Sequence, residues 1–170
     1  MDFQLTTEQL EIQQKAQAFA SEHLRPYAGQ WDREETFPKE ACEAIAASGL
    51  TGLTVPKEFG GPGQSSVAYS LAITALAAGC SATAVTIAVS SMVAETISSL
   101  GTDAQREAYL PSLLDGRFTA GSFALSEPGS GSDAGALRTK GITEGDDLII
   151  NGEKSWISSG THAGVFVVWV

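Results

Sequence analysis

The stretch Phe123–Gly135, FALSEPGSGSDAG, decides how the chain is read. It places three glycines, three serines, a proline and two acids behind a short apolar run. A glycine-rich loop after a strand is a common phosphate holder, and Gly129-x-Gly131-x-x-Ala134 fits the looser dinucleotide fingerprint. That fingerprint also needs a helix opening at the loop, inside a βαβ unit. The segment Gly135 to Lys140 is too short for the helix, and more β-rich sequence follows it. The doubly wound reading therefore fails on context. Spacing alone leaves two readings open. One is a loop whose backbone N–H groups, with the Ser130 and Ser132 hydroxyls, line an anion-binding concavity. The other is a tight Pro-Gly turn joining two strands.

Around this loop the hydrophobic period is that of strands. Thr119–Ser126, Leu137–Thr143, Leu148–Asn151, Lys154–Ser158 and Val165–Val170 are short β-rich runs. Glu144-Gly145-Asp146-Asp147 and Asn151-Gly152 are turn signals, and Asn-Gly is a strong one for a two-residue hairpin. Upstream the period is helical. Thr6-x-x-Gln9 is a capping box, followed by Ile12, Ala16, Phe19 and Ala20 at helical spacing. A second helix is expected from Pro38 to Gly49, a third over about 65–78 and a fourth from about 83 to Leu100. Thr102-x-x-Gln105 opens a fifth that ends near Asp115-Gly116. The expected fold is α+β. An all-α helical domain covers 1–117, and the first strands of an antiparallel, barrel-like β domain cover 118–170. The run VFVVWV closes the sequence inside an expected strand without a turn, so the chain is expected to be part of a longer protein.

Composition limits the function. The 170 residues are 43% hydrophobic and 18% charged, which describes a globular chain rather than a disordered one. Twenty acids against ten bases, a formal charge of -10, argue against a nucleic-acid partner. Cys42 and Cys80 are too few for a disulfide scaffold, and Cys42, among alanines, reads as a core residue. The polar, acidic start is neither a signal nor a transit peptide, which makes a cytoplasmic location the default expectation. From Phe59 to Ala94 there is no Asp, Glu, Lys or Arg. Gly60, Gly61, Pro62, Gly63 and Gly79 interrupt this run, so two buried helices of a bundle are expected rather than a membrane span of about 20 apolar residues.

Lys154-Ser155-Trp156-Ile157-Ser158-Ser159-Gly160 is the second candidate segment. Read as a strand, it puts Trp156 and Ser158 on one face. A flat indole beside a hydroxyl suits a planar heterocycle such as a flavin, while a core Trp beside a solvated Ser is the plainer reading. His23 and His162 have no partner at metal-ligand spacing, and no metal site is expected. Glu34-Glu35 reads as a solvated acidic pair.

Together, ALSEPGSGSDAGA at 124–136 and NGEKSWISSG at 151–160 resemble the acyl-CoA dehydrogenase family. The first looks like its E-P-x-x-G-S-D signature and the second like its N-G-x-K-x-W-I-[TS] segment. TTEQLEIQQKAQAFASEHLRP and GLTGLTVPKEFGGPG look like its opening helix and the loop after its second helix. The resemblance covers the whole chain. It implies an N-terminal helical domain, a middle β domain and a C-terminal four-helix domain that this chain lacks. It implies FAD as cofactor, with contacts at Phe123, Leu125, Ser126, Gly131, Ser132, Trp156, Ile157 and Ser158. Trp156 would lie against the isoalloxazine and Ser158 near its N5 edge. Ser132 would also face the CoA side of the substrate, and Val85, Ala88, Val89 and Met92 would line the acyl channel. The implied reaction is α,β-desaturation of an acyl-CoA, with hydride passing to the flavin and electrons then passing to an electron-transfer flavoprotein. A homodimer or homotetramer is implied for the full-length protein, and a short or medium straight acyl chain for the substrate. The family's catalytic glutamate would lie beyond Val170, so no catalytic residue is expected in this chain, and Glu127 is expected to be structural. A flavin monooxygenase, a nitroalkane oxidase or a non-catalytic binding module are the alternatives.

Overall fold

The computed structural model describes residues 4–170. Six α-helices come first: α1 (Thr7–Phe19), α2 (Arg25–Arg33), α3 (Lys39–Ala47), α4 (Ser66–Ala77), α5 (Ser81–Leu100) and α6 (Asp103–Leu114). Four strands follow: β1 (Ala120–Ala124), β2 (Lys140–Glu144), β3 (Asp147–Asn151) and β4 (Ala163–Val168). Both expected capping boxes form. The Thr6 hydroxyl accepts from the Gln9 amide at 3.2 Å, and Thr102 accepts from Gln105 at 3.3 Å, while each glutamine side chain accepts from the cap amide in return.

The sequence reading omitted α2. A π-helical turn, Ala20–Leu24, carries α1 directly into it, with Pro26 in its first turn. Pro26 lacks an N–H that a first turn leaves unpaired anyway, so it opens this helix instead of ending one. Tyr27 and Trp31 stack along its side at 5.8 Å.

The helices bury one apolar centre from Ala16, Leu24, Cys42, Ile45, Leu53, Leu76 and Ile87. Gly79 lets the turn between α4 and α5 approach α1 closely; a Cβ there would meet Ala20 at 2.9 Å. A second centre joins Val55, Val93, Ala94, Ile97, Leu110 and Leu113 to Val165 of β4, and this docks the β region on α5 and α6. Among the described residues α5 is the one helix long and apolar enough to cross a membrane, yet 56% of its apolar window is buried inside the protein. It is the central helix, packed by α4, α6 and β1.

The β region differs from the expectation in three respects. β1 and β4 pair parallel, with Phe123 opposite Val167, while β2 and β3 form the expected antiparallel pair. The hairpin turn of β2–β3 is Gly145-Asp146, where Gly145 supplies a φ of +65°; Asn151-Gly152 is not a hairpin turn. Gly152 instead lets the backbone close on Thr139, whose hydroxyl lies 2.3 Å from where a Cβ would stand. Lys154–Ser158, expected as a strand, is irregular, with Trp156 at φ +61°. The sheets are small and open.

Candidate functional site

β1 ends at Ala124 and releases Leu125 and Ser126, both half-buried. Phe123, just before them, tilts its ring against Trp169 at 5.7 Å. Glu127 and Ser130 then exchange both backbone hydrogen bonds, at 2.9 and 3.1 Å, so Pro128-Gly129 closes a tight turn. The turn reading, left open by the spacing, describes this part of the loop. The Ser130 hydroxyl is buried and donates to the Asp133 carbonyl, so it does not face outward as a lining group would. Gly131 and Ser132 are exposed.

The Glu127 carboxylate is buried and takes three donors. Its oxygens accept from the Arg138 amide at 2.6 Å, the Thr139 amide at 2.9 Å and Lys154 Nζ at 2.9 Å. Hydrogen bonding from Thr139, then Lys154 and Arg138, lowers its pKa from the usual carboxylate range to about 2. A carboxylate so held is ionised at neutral pH and is buried among three donors, away from any substrate. It is a structural anion, not a general base.

Lys154 Nζ also donates to the Leu125 carbonyl at 3.0 Å. Beside it the Ser155 amide donates to the Ser126 carbonyl at 2.9 Å, and the buried Ser122 hydroxyl donates to the Ser158 carbonyl at 2.7 Å. The two motif segments, 29 residues apart at Leu125 and Lys154, are thus bound side by side. Trp156 lies between these anchors and is 97% exposed. Positive φ is uncommon for a bulky side chain and costs about 1–3 kcal/mol, so the surrounding bonds hold it there. Ile157 is half-buried and Ser158 exposed. Ser159, also at positive φ, accepts from the His162 and Ala163 amides at 2.9 Å. His162 has a packing role, stacking on Phe37 at 4.0 Å.

Val85, Ala88, Val89 and Met92 follow i, i+3, i+4, i+7 spacing and share one stripe of α5. Val85 and Met92 are exposed, and the two between them are half-buried. The opposite face of α5 binds β1, through Ser90 and Gly121. One helix therefore carries the apolar stripe and supports the strand that leads to Leu125 and Ser126.

Sequence reasoning missed Ser90, Ser122 and Lys154. Lys154 stood inside the quoted motif, but its partners are 27 and 29 residues away, and no local pattern marks a contact over that span.

An exposed indole fixed beside open backbone and hydroxyl groups fits the face of a flat, polar-edged ring such as a flavin. Comparisons with known proteins give the family. The family description "Acyl-CoA dehydrogenase, N-terminal domain" matches residues 6–117, and "Acyl-CoA dehydrogenase, middle domain" matches 122–170. The chain is 40% identical to the acryloyl-CoA reductase (NADH) of Anaerotignum propionicum, over 99% of this chain and 43% of that protein. It is 42% identical to the mitochondrial isobutyryl-CoA dehydrogenase of Dictyostelium discoideum, over 98% of this chain and 40% of the relative. The structure of a glutaryl-CoA dehydrogenase from Mycobacterium smegmatis in complex with FADH2 superimposes with a TM-score of 0.92 at 30% identity, covering 98% of this chain and 43% of that one. The chain spans less than half the length of each of these relatives. With both domain descriptions matched over nearly all of its residues, the chain belongs to the acyl-CoA dehydrogenase family.

Proposed function

We propose that the intact protein is an FAD-dependent acyl-CoA dehydrogenase that introduces an α,β double bond into a short or medium straight-chain acyl-CoA. The observation that carries this reading is the fully exposed Trp156, held at positive φ by hydrogen bonds that also fix the end of β1. The bound flavin supplies the hydride acceptor that no amino-acid side chain provides.

The chain's own residues bind and orient. Trp156 offers its face to the ring, and Ser158 offers a hydroxyl at the ring's edge. Phe123, Leu125, Ser126, Gly131 and Ser132 offer backbone and hydroxyl groups along the loop. The stripe of Val85, Ala88, Val89 and Met92 excludes water from an acyl chain, and Ser132 faces the CoA portion. The α proton needs a carboxylate base and donors at the thioester oxygen. Glu127 is held in its ion pair and does not serve as that base. An electron-transfer flavoprotein takes the electrons onward. The acyl groups in the names of two relatives, acryloyl and isobutyryl, support a short chain, while straightness rests on the resemblance of the signature region alone, since isobutyryl is branched.

The test is anaerobic titration of the intact, FAD-loaded protein with acyl-CoAs of graded length. Loss of the visible flavin absorbance, most complete with short or medium straight chains, is expected. A flavin that stays oxidised with short, medium, long and branched acyl-CoAs would overturn the reading.

A further inference from the structure

Five ion pairs occur among the described residues, and four of them have at least one partner in solvent. Glu127–Lys154 is the exception, with side chains 5% and 11% exposed. A buried ion pair gains little net stability over an apolar pair, because desolvation opposes the Coulomb attraction. Its geometry is more informative. Lys154 reaches the Leu125 carbonyl and Glu127 at once, and Glu127 reaches the amides of Arg138 and Thr139. Three separate pieces of chain meet at this pair: the end of β1, the entry to β2, and the irregular segment that carries Trp156 two residues after Lys154. An ammonium with fixed partners defines both the height and the direction of that segment, which a pair of apolar side chains would not do.

We propose that Lys154, braced by Glu127, is a positioning residue for the flavin: it sets the Trp156 indole and the Ser158 hydroxyl at the height of the Leu125–Ser126 backbone, so that one planar ring meets both. The proposal rests on the flavin reading above. Lys154 itself does not touch the ring. It acts through the backbone of 155–158, and Ser122 fixes the far end of the same segment by its bond to the Ser158 carbonyl.

The experiment compares the intact protein with Lys154→Met, Lys154→Arg and Glu127→Gln. It measures FAD dissociation constants on folded protein and the fluorescence of bound flavin, which a stacked indole quenches. Lys154→Met keeps the aliphatic stem and loses both hydrogen bonds. It is expected to weaken FAD binding about tenfold, the effect of an indole stack that is no longer aligned. Bound-flavin fluorescence should rise as Trp156 leaves the ring. Lys154→Arg, which keeps the charge, is expected to restore part of the affinity and most of the quenching, and Glu127→Gln should fall between the two. If the wild type binds FAD but Lys154→Met matches it in affinity and quenching, and only melts at a lower temperature, the pair is a stability element and the proposal falls while the flavin reading stands. If Lys154→Met does not fold, the arginine and glutamine variants decide by the same two readouts. If the wild type takes up no FAD, the flavin reading fails and this proposal with it.

Discussion

The Ser90 hydroxyl on α5 accepts the Gly121 amide of β1 at 3.0 Å, in a buried setting, and itself donates to the Thr86 carbonyl at 2.8 Å. This relay joins the helical and β regions at the helix that bears the apolar stripe. Gly121 is small because a Cβ there would stand 3.0 Å from the Val93 side chain. Replacing Ser90 with alanine removes the acceptor and leaves a buried N–H without a partner. A loss of about 1–3 kcal/mol is expected, read as a lower urea midpoint with an unchanged slope. A midpoint equal to wild type would show that β1 does not depend on this bond.

The two thiols should differ sharply in reactivity. Cys42 is fully buried, and burial first, then Cys80 and Glu43, pushes its pKa up to about 12. Cys80 is only partly buried at the start of α5, where its sulfur accepts from the Thr83 hydroxyl at 3.1 Å. Iodoacetamide at neutral pH is expected to label Cys80 and spare Cys42 in the native protein, and to label both in denaturant. Mass spectrometry of tryptic peptides reads the result, and native labelling of Cys42 would contradict its placement in the core.

Local signals were legible and distant ones were not. Thr6 with Gln9, and Thr102 with Gln105, lie three residues apart, and both helix starts were readable. The Glu144-Gly145-Asp146-Asp147 turn was readable for the same reason. The parallel pairing of β1 with β4 joins residues more than 40 positions apart, such as Phe123 and Val167, and nothing in either strand specifies its partner. The strand expected over Lys154–Ser158 does not form, because the Lys154 side chain ties one end of the segment to Leu125 and Ser122 ties the other, and these bonds override β propensity. The motifs themselves were visible, but the ion pair that joins them was not. Glu127 was expected to be structural, but nothing in the sequence marks Lys154 as its partner, 27 positions away.

Acid should act on that pair. The Glu127 pKa is about 2 against an ordinary 4.5, lowered by Thr139, Lys154 and Arg138. A depressed folded-state pKa contributes stability at pH values above the unfolded value and loses it as pH falls toward the folded one. The groups around it are Lys154, its ion-pair partner, and Arg138 and Glu153, which line the cavity beside it. Stability is therefore expected to decline between pH 4.5 and 2, and Glu127→Gln should flatten this part of the curve. Melting temperatures of both proteins across this range supply the test. Parallel acid limbs would show that Glu127 is not held as its hydrogen bonds indicate.

Trp156 gives the cleanest separation of binding from folding. Its side chain is 97% exposed, so Trp156→Ala removes almost no buried surface, and the stability change is expected to stay within about 0.5 kcal/mol. The same change removes the stacking face, and an aromatic stack on a planar heterocycle is worth about 1–3 kcal/mol, so FAD retention should fall roughly tenfold or more. Trp156→Phe keeps a ring and should retain most of the affinity. Ser158→Ala leaves the carbonyl bonded to Ser122 untouched and removes an exposed hydroxyl. It should bind FAD normally and slow flavin reduction by acyl-CoA about two- to tenfold, the worth of one hydrogen bond. Ser159→Ala is the control. Ser159 is half-buried, and its carbonyl, which holds His162 and Ala163, survives the substitution. Flavin occupancy, reduction rate and melting temperature are measured on all four proteins. If Trp156→Ala keeps its FAD, or Ser159→Ala slows reduction as much as Ser158→Ala, then the 156–158 segment does not face the flavin.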